Sequence, residues 1–145
     1  MRYNMLEYEI KENRIKHILG VARRCYEIAK EEQFDEDFCQ KMYLVGWIHD
    51  VGYDFEPHNH EQASAKLLGM FTKDDTALEA LKYHDEWGMK PRSAEHRILM
   101  MADMTTDSQG NKVTIEQRLE DVARRFGKES ETYKKAYKAT RQWVE

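Results

Sequence analysis

His49 and Asp50 stand side by side at the end of an apolar stretch, followed closely by Gly52. Three further groups able to ligate a metal, His17, His84 and Asp103, fall on the inward faces of predicted helices in separate parts of the chain. Burying imidazole and carboxylate groups is expensive unless they are compensated, and divalent cations can serve all of them together. Imidazole nitrogens with carboxylate oxygens, and no thiolates, suit iron, manganese, nickel, cobalt or zinc and leave coordination positions open for water and substrate. That composition is catalytic in kind. Taken singly, each residue has a plainer reading: a helical histidine is commonly a hydrogen-bonded core residue, Asp50 can be a turn residue, and Asp103 can pair with Arg97. Together they would need as many separate buried partners.

Helices have to position these groups. Leu6, Ile10, Arg14, His17, Val21, Arg24 and Ile28 recur at spacings of three and four and predict an amphipathic helix from about Met5 to Lys30, with His17 at its middle. Asp35 can cap a second helix on which Phe38, Met42, Val45 and His49 share a face, and Gly52 suits its end. The His49-Asp50 pair then sits at a helix C-terminus, where adjacent side chains, about 100° apart around the axis, can address two sides of one centre. After a loop with Pro57, Asn59 and Gln62 form a capping pattern for a third helix that carries His60 in its first turn. Thr72 with Asp75 is a similar pattern for a fourth, which His84 closes. Ser93 begins a fifth, in which Leu99 and Asp103, four residues apart, lie on one side. The stretch Asp107 to Lys112 reads as a polar turn. Thr114 with Gln117 starts a sixth helix through Phe126, and Gly127 separates a seventh from about Ser130 to Val144. Nothing reads as a strand.

The 145 residues fit one domain, 1–145, with a single core. A net charge of -4, with 34% charged residues of both signs interleaved, disfavours large nucleic acids and anionic membranes as partners. Neither a signal peptide nor a membrane span is visible, so a soluble, cytoplasmic protein is expected. Cys25 and Cys39 lie amid core-type neighbours and read as free thiols.

The order of these residues resembles the HD superfamily of metal-dependent phosphohydrolases. His17, His49, Asp50 and Asp103 match its pattern of a first-helix histidine, a His-Asp doublet and a distal aspartate. His17-Ile-Leu-Gly-Val-Ala, Trp47-Ile-His-Asp-Val-Gly, His60-Glu-Gln-Ala-Ser-Ala-Lys-Leu-Leu, Leu81-Lys-Tyr-His84 and Leu99-Met-Met-Ala-Asp103 resemble the successive motifs of the branch with six ligands and two metals. That branch includes bacterial hydrolases of diadenosine tetraphosphate. The likeness spans roughly residues 14 to 106, and the last forty residues carry none of it. It implies an all-α bundle of about six to seven helices around a buried metal site, with the helices of 114–144 packing on it. It also implies one or two divalent ions, one held by His17, His49, Asp50 and Asp103, the other by Asp50, His60 and His84, with Asp50 bridging. His58 is the alternative to His60.

One position departs from the pattern. Many of these hydrolases carry a lysine three residues after the aspartate, near the scissile phosphate, and this chain has Tyr53 there. Lys90 and Arg92 could supply the positive charge, with Lys112 or Arg118 more distant, while Tyr53, Phe55 and Trp87 could stack on a base. The resemblance implies hydrolysis of a phosphate ester or anhydride in a nucleotide-like small molecule through a metal-activated water, with His49 and Asp50 at the reacting centre. Some relatives with six ligands resemble di-iron oxygenases instead, and a non-catalytic module binding a nucleotide or partner is a third reading. The C-terminal helices could cover the core or build a homodimer interface.

Overall fold

A computed structural model describes residues 5–50, 66, 69, 74–83 and 90–142, with side chains from Ile15 to Lys138 and at Thr140 within those ranges. Six helices are present among them: α1 (Met5–Glu31), α2 (Glu36–Ile48), α3 (Asp75–Tyr83), α4 (Ala94–Met104), α5 (Ile115–Phe126) and α6 (Glu131–Gln142). No strand occurs among the described residues, and an isolated antiparallel bridge joins Thr106 to Lys112. The architecture is therefore all-α, as the periodicity predicts. No helix among the described residues is long and apolar enough to cross a membrane.

α1 buries Ile18, Val21, Ala22, Cys25, Ile28 and Ala29, a stripe at spacings of three and four that faces α2 and α4. It ends in a left-handed residue that the sequence does not advertise. Gln33 adopts φ 66°, its N–H donates to the Lys30 carbonyl and that of Phe34 to the Ala29 carbonyl. This is a Schellman closure with glutamine where glycine is usual. Phe34 then stacks on Phe38 with ring centroids 4.0 Å apart, and Asp35 caps α2 by accepting from the Phe38 N–H at 2.8 Å.

α1 and α2 cross at backbone contact. A Cβ on Gly46 would lie 2.6 Å from the Ala22 Cα, so no larger residue fits at the crossing. Val21, Cys25, Met42, Val45, Leu81 and Leu99 fill the core that α1 to α4 enclose, and Cys25 and Cys39 are buried in it as free thiols. α5 and α6 pair with each other, and Ala136 and Leu119 pack on Met100 and Met104 of α4.

Most caps are the expected ones. Ser93 opens α4, and Thr114 with Gln117 forms a complete capping box at α5, which Gly127 ends at φ 89°. The start of α3 differs from the Thr72–Asp75 expectation. The Asp74 carboxylate accepts from the Ala77 N–H at 3.1 Å, and Thr72 itself lies outside the described residues. Asp74 also receives the Lys41 ammonium at 3.1 Å, and Lys41 donates to Glu95 at 2.9 Å, so one lysine of α2 clips the starts of α3 and α4 together. The predicted third helix with His60 falls outside the described residues.

Candidate metal centre

Each candidate ligand in the described part of the chain is delivered by a different device. His17 sits one turn before Val21, on the α1 face that meets α2 and α4. His49 follows the last residue of α2, fully buried, three residues beyond the glycine that lets α1 approach. Asp50 comes next, where the helix has ended. Asp103 is carried in the last turn of α4, one turn after the buried Leu99. Ligand atoms of His17, His49 and Asp50 all lie within 4.8 Å of one another. Asp103 closes the group from α4, with its Oδ1 3.0 Å from His17 Nε2.

Backbone carbonyls fix both imidazoles. His49 Nδ1–H donates to the Gly46 carbonyl at 2.6 Å, and His17 Nδ1–H donates to the Asp107 carbonyl at 2.9 Å. A carbonyl oxygen can only accept, so the proton of each neutral ring is on Nδ1 and Nε2 carries the lone pair. The His17 lone pair points at Asp103, and the His49 Nε2 lies close to Asp50. His49 Nε2 is 3.2 Å from Asp50 Oδ2, and His17 Nε2 is 3.8 Å from the same oxygen as well as 3.0 Å from Asp103. Two acceptors facing each other across 3 Å need a positive charge between them, either a proton or a metal ion. A ring oriented from behind by a backbone carbonyl, with Nε2 turned to a shared point, is the usual support for a metal-ligating histidine. His17, His49 and Asp50 therefore suit a divalent cation in donor type and proximity, with Asp103 beside them through His17.

Without a metal the proton takes that role. Burial alone would lower the His17 pKa, but the hydrogen bond to Asp103 and the charges of Asp103 and Asp50 outweigh it, and the pKa is raised. Burial likewise acts to raise the Asp103 pKa, and His17, with His49 and Arg118, reverses it and holds this carboxyl below the ordinary aspartate range. Arg97 does not partner Asp103, since both arms of its guanidinium engage Glu32.

Three supporting groups carry no side-chain signature of their role. The Gly46 and Asp107 carbonyls act through backbone that any residue possesses. Asp107 is placed by the turn it heads: its carboxylate accepts from the Gln109 and Asn111 N–H groups at 2.9 and 2.8 Å. Gly110 in that turn, at φ 83°, lies directly on the α1 backbone at Lys16 and Gly20. The third is Arg118 of α5, which is buried with its Nη2 3.8 Å from Asp103. Its place in a charged amphipathic sequence suggests a surface residue.

Of the remaining expected site residues, His60, His84 and Tyr53 lie outside the described residues, as does His58. Lys90 is exposed. The Arg92 guanidinium lies 4.6 Å from the Tyr83 ring centroid and 3.9 Å from Glu79, on the outer side of α3. A family model described as HD domain matches residues 14–106, which contain every histidine of the chain and both candidate aspartates. No curated protein and no solved structure matches the chain.

Proposed function

Because the chain belongs to the HD domain family, in general one of metal-dependent phosphohydrolases, we propose that it hydrolyses a phosphate ester or anhydride of a nucleotide-like small molecule. The observation that carries this reading is the convergence of His17, His49 and Asp50, with Asp103 bonded to His17, both ring tautomers set by backbone carbonyls and each Nε2 within 3.2 Å of a carboxylate oxygen. A divalent cation held by these residues would lower the pKa of a water toward neutrality and neutralise charge on phosphoryl and leaving oxygens. His17, His49 and Asp103 hold their positions as ligands. Asp50, within reach of both imidazoles, accepts a hydrogen bond from the attacking water and orients it. No side chain has to act as a covalent nucleophile, and the two thiols are buried in the core.

In this reading His60 and His84 would hold a second cation together with Asp50. Lys90 and Arg92 offer charge for an outer part of the substrate, and Tyr53 offers a stacking face. The test is elemental analysis of protein purified without added metal, followed by a screen for phosphate release across nucleotides with manganese or cobalt under anaerobic conditions. Bound metal and turnover without oxygen are expected, and Asp50→Ala loses both. An Asp50→Ala protein with full metal content and rate overturns the assignment. Iron at about two per chain with oxygen consumption on substrate addition replaces hydrolysis by oxygenase chemistry.

A further inference from the structure

Arg118 is a buried cation that its described surroundings satisfy only in part. It is only 8% exposed, yet among the described residues its Nε–H meets no hydrogen-bond acceptor. Its two other nitrogens stand 3.8 Å from Asp103 Oδ1 and 3.6 Å from Asp121 Oδ2, close enough for attraction and beyond hydrogen-bond reach. A guanidinium has five N–H donors, and leaving them unmade in a buried place is costly. Asp121 Oδ2, the buried oxygen that faces it, likewise makes no hydrogen bond among the described residues. Asp103 is held by His17 at 3.0 Å, and Asp121 is shared with Arg124 at 2.8 Å and Arg125 at 3.7 Å.

Other basic residues among those described are engaged or exposed. Arg24 donates to Thr105 and pairs with Glu27, Arg92 lies against Tyr83 and Glu79, and Lys112 and Lys90 face solvent. The position of Arg118 is also well determined. The Thr114–Gln117 capping box fixes the first turn of α5, and the Val113 N–H donates to the Thr105 carbonyl at 2.9 Å, which brings that turn back beside Asp103.

We propose that Arg118 binds a phosphate oxygen of the substrate through two of its N–H groups, beside the candidate metal ligand Asp103. This rests on the hydrolytic reading of the His17–His49–Asp50–Asp103 site and adds a residue from α5, outside the span that matches the family. A planar pair of donors aimed at a tetrahedral oxyanion is what arginine supplies and lysine does not. With Asp103 engaged by a cation, the guanidinium charge faces the incoming anion, so an oxygen held there keeps its phosphorus next to the imidazole cluster.

The probe is inorganic phosphate, titrated calorimetrically into the intact chain with and without manganese, with metal content and melting temperature measured for each variant. Arg118→Met is expected to fold and to keep its manganese while binding phosphate at least tenfold more weakly, and Arg118→Lys to bind severalfold more weakly than the parent. Unchanged phosphate affinity in a folded Arg118→Met overturns the proposal. So does loss of manganese together with phosphate, which would make Arg118 a positioning residue for Asp103. If Arg118→Met does not fold, Arg118→Lys decides, and parental affinity in it overturns the two-donor contact. A parent chain that takes up no manganese sinks the hydrolytic reading by itself. Phosphate titration of that metal-free protein still decides on Arg118, a tenfold loss on substitution supporting the contact and no change overturning it.

Discussion

His17 is oriented before any cation arrives, because the Asp107 backbone carbonyl accepts from its Nδ1–H and leaves Nε2 facing Asp103 and Asp50. In the metal-free chain that nitrogen is protonated over a wider pH range than an ordinary histidine, since its pKa is raised despite burial. A raised pKa stabilises the fold fully below the ordinary value of 6.5, and the contribution disappears as pH climbs through the raised value. Metal uptake has the opposite dependence, because a cation must displace that proton. Manganese affinity is therefore expected to increase with pH across the same interval, with proton release visible as a buffer-dependent enthalpy in calorimetry. An affinity independent of pH would exclude His17 as a ligand. His17→Gln should cost at least tenfold in metal affinity while leaving the helical circular dichroism intact, since only the partly buried ring is altered.

Elements bring such residues within reach by two close backbone approaches. Gly46 lets α2 touch α1 at Ala22, and a Cβ there must push the helices apart. Gly46→Ala is expected to cost about 1–3 kcal/mol in chemical denaturation, the scale of overpacking a tight core contact. It should also weaken metal binding, because His17 and His49 ride on the separated helices. Gly110→Ala combines a strained left-handed φ with a collision at the Lys16 carbonyl, and should loosen the Asp107 contact to His17 without touching a ligand. A different element contact governs acid stability. The Asp74 pKa is lowered from 3.8 to about 2, chiefly by the Thr76 hydroxyl and also by the α3 cap and Lys41. A depressed carboxyl pKa stabilises above its unfolded value, so this contribution is lost as pH falls from about 4 to about 2. For a partly exposed group it amounts to about 1 kcal/mol after allowance for screening. Asp74→Asn keeps a capping side chain, and its melting temperature should fall less steeply than the parent's over that interval.

At the scale of the whole molecule, the proposed centre ties α1, α2 and α4 together, so a cation that binds only the folded chain must stabilise all of it. At a metal concentration one hundred times Kd the gain is about 2.7 kcal/mol, which for a chain of this size raises Tm by roughly 5–10 °C. A chelator should reverse the shift, and equal Tm values with and without manganese would argue against a site spanning three helices. The amino-acid order by itself determined the helical periods, the caps at Asp35, Ser93 and Thr114, and the stop at Gly127, because these depend on residues within a turn of one another. It also marked His17, His49, Asp50 and Asp103, whose types are out of place on apolar faces. The left-handed Gln33, the Asp74 cap, the carbonyls of Gly46 and Asp107 behind the imidazoles, and the inward turn of Arg118 were decided only in three dimensions. A backbone carbonyl is the same in every residue, and a helical arginine looks alike whether it meets solvent or, as Arg118 does, a carboxylate fifteen residues back along the chain. Which groups meet across that distance depends on how closely the helices pack, and that is a property of the assembled core.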